Sequence, residues 1–190
     1  MTRIIAGQHK GRALKVPQSV TRPTSSRVRE AIFSSVEHSH DGFAGLNVLD
    51  LFAGSGALGL EAISRGAAYA LLMENDSKAL AAIKDNIETL KIRSARVQGG
   101  ELFNHLNSDQ PDNAFDIVFA DPPYNLSDDK ITLLLEALGT RGWLAPDALV
   151  VVERDKYSDF MWPHFFDDIS QRSYGDTVVW YGRYAHERSA

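Results

Sequence analysis

Residues 47–59 read N-V-L-D-L-F-A-G-S-G-A-L-G, and this stretch decides the fold. Val48, Leu49 and Leu51 make a short apolar run suited to a parallel strand buried on both faces. The run carries an acid, Asp50, and passes directly into Gly54, Gly56 and Gly59. Leu60, Ala62 and Ile63 then continue as a helix. Strand, glycine turn and helix in this order build a nucleotide-type site. Small residues let the backbone approach a ligand, and the helix N-terminus presents unpaired N–H groups.

The three glycines also satisfy G-x-G-x-x-G, and Glu74 lies 20 residues beyond the first of them. On paper that is the dinucleotide fingerprint. Asp50 points elsewhere. A carboxylate at the strand end would repel a pyrophosphate and suits a cationic or amine-bearing ligand, such as the methionine part of S-adenosylmethionine. A bare tight turn would not need three glycines and an acid around it.

Working outward, strand and helix patterns alternate. Residues 69–73 read as a second strand ending at Glu74, and Ser77 can cap a helix whose apolar positions Leu80, Ile83, Ile87 and Leu90 step at three and four. Residues 95–98 make a weak third strand with a short helix near 102–106. A fourth strand over 116–120, a helix over 130–138 and a fifth strand over 149–153 follow. Repeated βα units imply a parallel sheet with helices on both faces. Residues 168–174 and 177–184 instead flank Gly175-Asp176, which signals a hairpin. Upstream, residues 3–6 and 12–16 read as two short strands joined by a turn. Thr24 is the expected N-cap of a helix through Arg27, Ala31, Ile32 and Val36.

The expected fold is therefore a doubly wound, mostly parallel seven-stranded sheet with a C-terminal antiparallel hairpin. Residues 1–40 form a small hairpin-and-helix extension, and residues 41–190 the main domain. At 44% hydrophobic and 24% charged, the 190-residue chain has an ordinary globular composition. With no long apolar run, no signal-like segment and no cysteine, it reads as a cytoplasmic protein without disulfides or a cysteine-held metal. The net charge of −5 is divided unevenly. The first 30 residues hold seven basic side chains (Arg3, Lys10, Arg12, Lys15, Arg22, Arg27 and Arg29) and one acid, Glu30. Concentrated there, the positive charge makes nucleic acid a fair partner, against the alternative of a solvated basic arm.

A second motif, Asp121-Pro122-Pro123-Tyr124, follows the fourth strand and so belongs on the same sheet edge as Asp50. Two prolines stiffen the loop and remove two N–H donors. What remains is an acceptor ledge, the Asp121 carboxylate and the Pro122 carbonyl, with the flat face of Tyr124 beside it. Such a ledge matches an exocyclic amino group on a planar base, which offers two donors and a π-surface.

Here the chain resembles the class I S-adenosylmethionine-dependent methyltransferases with [D/N]-P-P-[Y/F], and more closely the ribosomal RNA small-subunit methyltransferase D family. The matching stretches are R-I-I-A-G-Q-H-K-G-R (3–12), R-P-T-S-S-R-V-R-E-A-I-F (22–33), D-L-F-A-G-S-G-A-L-G-L-E-A (50–62), E-N-D (74–76), D-P-P-Y (121–124) and Y-G-D-T (174–177). The resemblance implies a Rossmann-like methyltransferase acting on the N2 amine of a guanine in 16S rRNA or the small ribosomal particle, as a monomer that needs no metal. It implies that Asp50, Phe52, Gly54, Gly56, Glu74, Asn75 and Glu101 hold S-adenosylmethionine. The local sequence Gly99-Gly100-Glu101 departs from the family's commoner aspartate form, and Glu101 also suits the N-terminus of a helix. Asp121, Pro122 and Tyr124 would perform the transfer. Arg3, Lys10, Arg12, Arg22, Arg27 and Arg29 would face RNA.

Adenine-N6 methylation of DNA and glutamine methylation of a protein can use the same ledge. An NAD-dependent oxidoreductase is opposed by Asp50 and has no use for D-P-P-Y. A non-catalytic RNA-binding assembly factor would have no use for an intact acceptor ledge.

Overall fold

The computed structural model describes residues 2–17, 25–108 and 111–185. Seven strands form one sheet: β1 (Asn47–Asp50), β2 (Tyr69–Glu74), β3 (Ala95–Gly99), β4 (Phe115–Ala120), β5 (Leu144–Asp155), β6 (Phe166–Tyr174) and β7 (Thr177–Tyr184). Their order is β3-β2-β1-β4-β5-β7-β6. The first five pair in parallel; β7 runs antiparallel between β5 and β6. The helices are α1 (Ser26–His40), α2 (Ala57–Ser64), α3 (Ser77–Leu90), α4 (Leu102–Ser108) and α5 (Asp128–Thr140). Strand succession moves outward from β1 to β3 and then returns to β4 on the other side of β1. That reversal opens a crevice at the carboxyl ends of β1 and β4.

Alternation along the strands sorts the core into two layers. Val48, Ile117, Phe119, Leu149 and Val151 pack on one face with Ile32, Phe33 and Val36 of α1, Leu60 of α2 and Ile83 of α3. Leu49, Val118, Ala120, Val150 and Val152 pack on the other with Leu106 of α4 and Ile131, Leu134, Leu135 and Leu138 of α5. Successive residues point to opposite faces, so strands covered on both sides must be apolar throughout. Among the described residues, no helix is long and apolar enough to cross a membrane.

The N-terminal extension is built into the first layer through Ile4 and Leu14. Its expected two strands reduce to one bridge, Arg3 with Ala13, flanked by hydrogen bonds from Ile4 N–H to Arg12 O (3.0 Å) and Leu14 N–H to Thr2 O (2.9 Å). The donors that would extend a ladder are used elsewhere. Ile5 and Ala6 N–H donate to the two oxygens of Glu61 on α2, at 2.7 and 2.9 Å. Gly7 lies so close to α2 that a Cβ would fall 1.8 Å from the Ser64 carbonyl oxygen, and its φ of +79° suits only glycine.

Three boundaries differ from expectation. Ser25 caps α1, accepting from Val28 N–H at 3.2 Å; Thr24 lies outside the described residues. Asp76 rather than Ser77 caps α3, its carboxylate accepting from Ala79 N–H at 2.8 Å. β5 begins at Leu144, before Pro146, because a register shift against β4 between Phe115 and Ile117 absorbs the extra residues.

Candidate active site

Every parallel strand delivers an acid to the same carboxyl edge. Glu101 follows β3, Glu74 ends β2, Asp50 ends β1, Asp121 follows β4, and Glu153 lies near the end of β5, level with Asp121 because Ala120 pairs with Val152. Glu74 and Asp50 both bear on the glycine turn. Glu74 is half-buried; its Oε2 accepts from Gly54 N–H (2.8 Å), and its Oε1 from Asn75 N–H (2.8 Å) and Asp76 N–H (2.9 Å). It braces the turn from the neighbouring strand. Gly56, at φ +79°, is the residue before α2, and a Cβ there would meet Leu60 and Leu72 at 3.1 Å.

Asp50 is fully buried. Its Oδ2 accepts from Gly59 N–H at 3.0 Å, while Oδ1 has no hydrogen-bond partner among the described residues. Burial pushes its carboxyl up to about 7; the Gly59 N–H opposes this, Asp121 and Glu74 add to it, and the Phe52 N–H opposes it weakly. A buried carboxyl oxygen in need of a donor fits an ammonium group better than a phosphate. Of the other residues expected here, Phe52 is half-buried against the second core layer, Asn75 is exposed, and Glu101 is exposed with its carbonyl accepting from Asn104 and His105 N–H.

Asp121 is half-buried, Pro122 buried, and Tyr124 48% exposed, so a flat side chain stands free at the rim. Asp121 also lines a small cavity with Ile32, Leu58, Phe119, Val151 and Glu153. The loop after it turns back through Leu126 N–H to Pro123 O at 2.9 Å. Beneath it lies a group that sequence reasoning missed. The Arg154 Nη2 donates to Leu126 O and to Asp128 Oδ1, both at 2.9 Å.

The basic residues separate. Arg3, Lys10, Arg12 and Arg27 are exposed, and Arg3 Nη1 donates to Gly11 O at 2.8 Å. Arg22 lies outside the described residues. Arg29 departs from expectation: it is 3% exposed, and its Nη2 donates to Arg3 O at 2.7 Å. It fastens the N-terminal segment to α1 instead of facing solvent. Asn86 of α3 is a further missed residue. Its Nδ2 donates to Lys15 O and Ser55 O, both at 3.0 Å, and its Oδ1 accepts from Lys15 N–H at 2.8 Å, tying the N-terminal segment to the glycine turn.

Comparison with known proteins agrees with this fold. Residues 2–183 match the family described as Conserved hypothetical protein 95. The ribosomal RNA small subunit methyltransferase D of Escherichia coli K12 is 43% identical over 156 residues, covering 80% of this chain and 74% of the relative. The chain belongs to the ribosomal RNA small subunit methyltransferase D family. Within solved structures, yhhF from Escherichia coli, a provisional methyltransferase, superposes with a TM-score of 0.84 at 35% identity, covering 97% of this chain and 99% of that one. The fold also recurs, at 17% identity and a TM-score of 0.66, in an RNA methyltransferase from Salinibacter ruber solved with S-adenosyl-L-homocysteine, covering 87% of this chain and 95% of that one. In this chain the Asp50–Gly56 turn and the D-P-P-Y loop follow adjacent strands, β1 and β4, at one edge of the sheet.

Proposed function

We propose that the protein transfers a methyl group from S-adenosylmethionine to the N2 amine of a guanine in 16S ribosomal RNA, with Asp121, Pro122 and Tyr124 as the catalytic group. One observation carries the reading: the acid–glycine turn and the D-P-P-Y ledge occupy adjacent strand ends at the point where strand order reverses. Family membership supports the rRNA substrate. The exposed cations of the N-terminal segment support an RNA backbone docked beside the crevice.

S-adenosylmethionine supplies a methyl group on a sulfonium, an electrophile that a guanine amine attacks only when well aligned. Asp50 Oδ1 would receive its ammonium group, and Glu74, fixed by three backbone donors, its ribose hydroxyls. Asp121 and the Pro122 carbonyl would accept the two N2–H groups, making the nitrogen more pyramidal and turning its lone pair towards the methyl. The lone pair forms the new N–C bond, the C–S pair remains on sulfur, and the proton passes to Asp121 or water. Alignment accounts for much of such catalysis. Tyr124 would stack on the base, which must leave its own stack to arrive.

Cofactor affinity should depend on pH in a stated direction. Below about 7 the Asp50 carboxyl is protonated, and above it ionised. An ammonium group binds the ionised form, so affinity should rise with pH through that value, roughly eightfold between pH 6 and 7.5. Isothermal titration of S-adenosylhomocysteine checks this, with 5′-methylthioadenosine, which lacks the amine, as the flat control. A pH-independent affinity would leave Asp50 as a brace for Gly59 alone.

Replacing exposed Lys10, Arg12 and Arg27 together by Ala should weaken RNA binding and reduce its salt slope by about two to three, one per lost phosphate contact. Cofactor affinity should hold. An unchanged slope would move the docking surface off residues 1–40. The reading as a whole is tested by labelled methyl transfer to RNA, DNA and protein fractions with nucleoside mass spectrometry. N2-methylguanosine is expected; a product methylated on adenine or on protein would overturn it.

A further inference from the structure

The D-P-P-Y loop is poor in backbone donors. Pro122 and Pro123 carry no N–H, and the described backbone bond inside the loop is Leu126 N–H to Pro123 O. One end is fixed by the pairing of Ala120 with Val152. The other end meets a polar cluster. Arg154 on β5, its side chain 4% exposed, donates from Nη2 to Leu126 O and Asp128 Oδ1 at 2.9 Å, and from Nε to Ser158 Oγ at 3.2 Å. Ser158 Oγ donates to Asp128 Oδ1 and Asp159 N–H to Asp128 Oδ2, both at 2.7 Å. Burial alone would push the Asp128 carboxyl up, but the bonds from Ser158, Asp159 and Arg154 together hold it below the usual carboxylate range.

Resting on the function proposed above, we infer that Arg154 is a positioning residue for methyl transfer, latching the D-P-P-Y loop so that the Asp121 carboxylate and Pro122 carbonyl meet the target amine. The two prolines fix their φ near −65°, and the Leu126 N–H to Pro123 O bond closes the rest of the loop into a turn that links Pro123 to the Leu126 carbonyl. Pinning that carbonyl therefore sets the Pro122 carbonyl several residues upstream. The guanidinium is suited to this because its fork reaches a carbonyl, a carboxylate and a hydroxyl at once. A lysine amine in its place could serve only part of that set. Arg154 lies on the face of β5 opposite Glu153 and the crevice, and so acts through the loop without touching the substrate.

A displacement of about 1 Å at a reacting group costs about 100-fold in rate. Arg154→Ala should accordingly lower single-turnover methyl transfer by about 10- to 100-fold, with S-adenosylhomocysteine and RNA affinities near those of the natural protein. Millimolar guanidinium should restore part of the rate by refilling the emptied pocket, an effect that a merely destabilised fold would not show. Arg154→Lys should give an intermediate rate, and it carries the test should the Ala variant fail to fold. A natural rate in either variant overturns the inference. So does a lost rate that comes with lost cofactor binding and ignores guanidinium. If the natural protein itself transfers no methyl group to RNA, the proposed function fails instead.

Discussion

Asp121→Asn should lower the rate of methyl transfer by about 10²–10³-fold, the usual loss when one preorganised electrostatic partner is removed from a reaction centre. Asparagine keeps the size and one carbonyl acceptor but loses the negative charge that favours a developing ammonium. Cofactor affinity should be preserved or slightly improved. Asp121 is one of the charges that raise the Asp50 carboxyl, and removing it lets Asp50 ionise more readily. Single-turnover transfer to small-subunit RNA and titration with S-adenosylhomocysteine measure the two effects separately. A near-natural rate in the Asn variant would remove Asp121 from the chemistry, and a joint loss of rate and cofactor binding would make it part of the cofactor site.

The largest stability effect should come from Glu61→Ala. Glu61 is fully buried, accepts from Ile5 and Ala6 N–H, and pairs with Arg65 Nε at 2.8 Å. Removing it leaves two backbone donors and a buried guanidinium short of a partner, a change that costs roughly 3–5 kcal/mol. Arg65 keeps Glu37 at 2.9 Å, which places the expected loss towards the lower end. Urea denaturation gives the number, and limited proteolysis should show residues 2–17 becoming susceptible first. A loss well under 1 kcal/mol would mean that Ile4, Leu14, Arg29 and Asn86 hold the hairpin without help from Glu61.

The sheet, and the placement of both site motifs at its carboxyl edge, were legible because their signals are local. The run from Val48 to Gly59, the D-P-P-Y loop and the Gly175-Asp176 hairpin each declare a conformation within a dozen residues, and the strand alternation follows from burial on both faces. Arg29 was misplaced despite a readable signal. Together with Ile32, Phe33 and Val36 it completes an i, i+3, i+4, i+7 face, so helical periodicity puts it inward while Arg27 remains outside. Glu61 carried a weaker hint, a charge in the middle of an otherwise apolar helix that is buried all round. For Asn86 and Arg154 there was none. Their partners lie 71 and 31 residues away for Asn86, and 28 and 26 away for Arg154, and only the folded chain brings them together. The start of β5 was hidden for a different reason: a bulge lets Pro146 sit within a strand that proline would otherwise interrupt.

The row of acids along the carboxyl edge has a consequence for how a polyanion can arrive. Five neighbouring strands span roughly 20 Å at the usual inter-strand spacing, and each brings a carboxyl group to that front. A phosphodiester chain laid across it would be repelled wherever those groups are ionised, whereas an uncharged nucleobase entering edge-on would meet carboxylate acceptors for its amino hydrogens. Under the function proposed above, the edge would work as an electrostatic sieve, passing the base and turning away the backbone that carries it. If RNA is held by the cations of the N-terminal segment as proposed, it would satisfy both conditions by bulging one nucleotide inward, so the charge pattern would favour a substrate whose target is already extruded or easily pulled out.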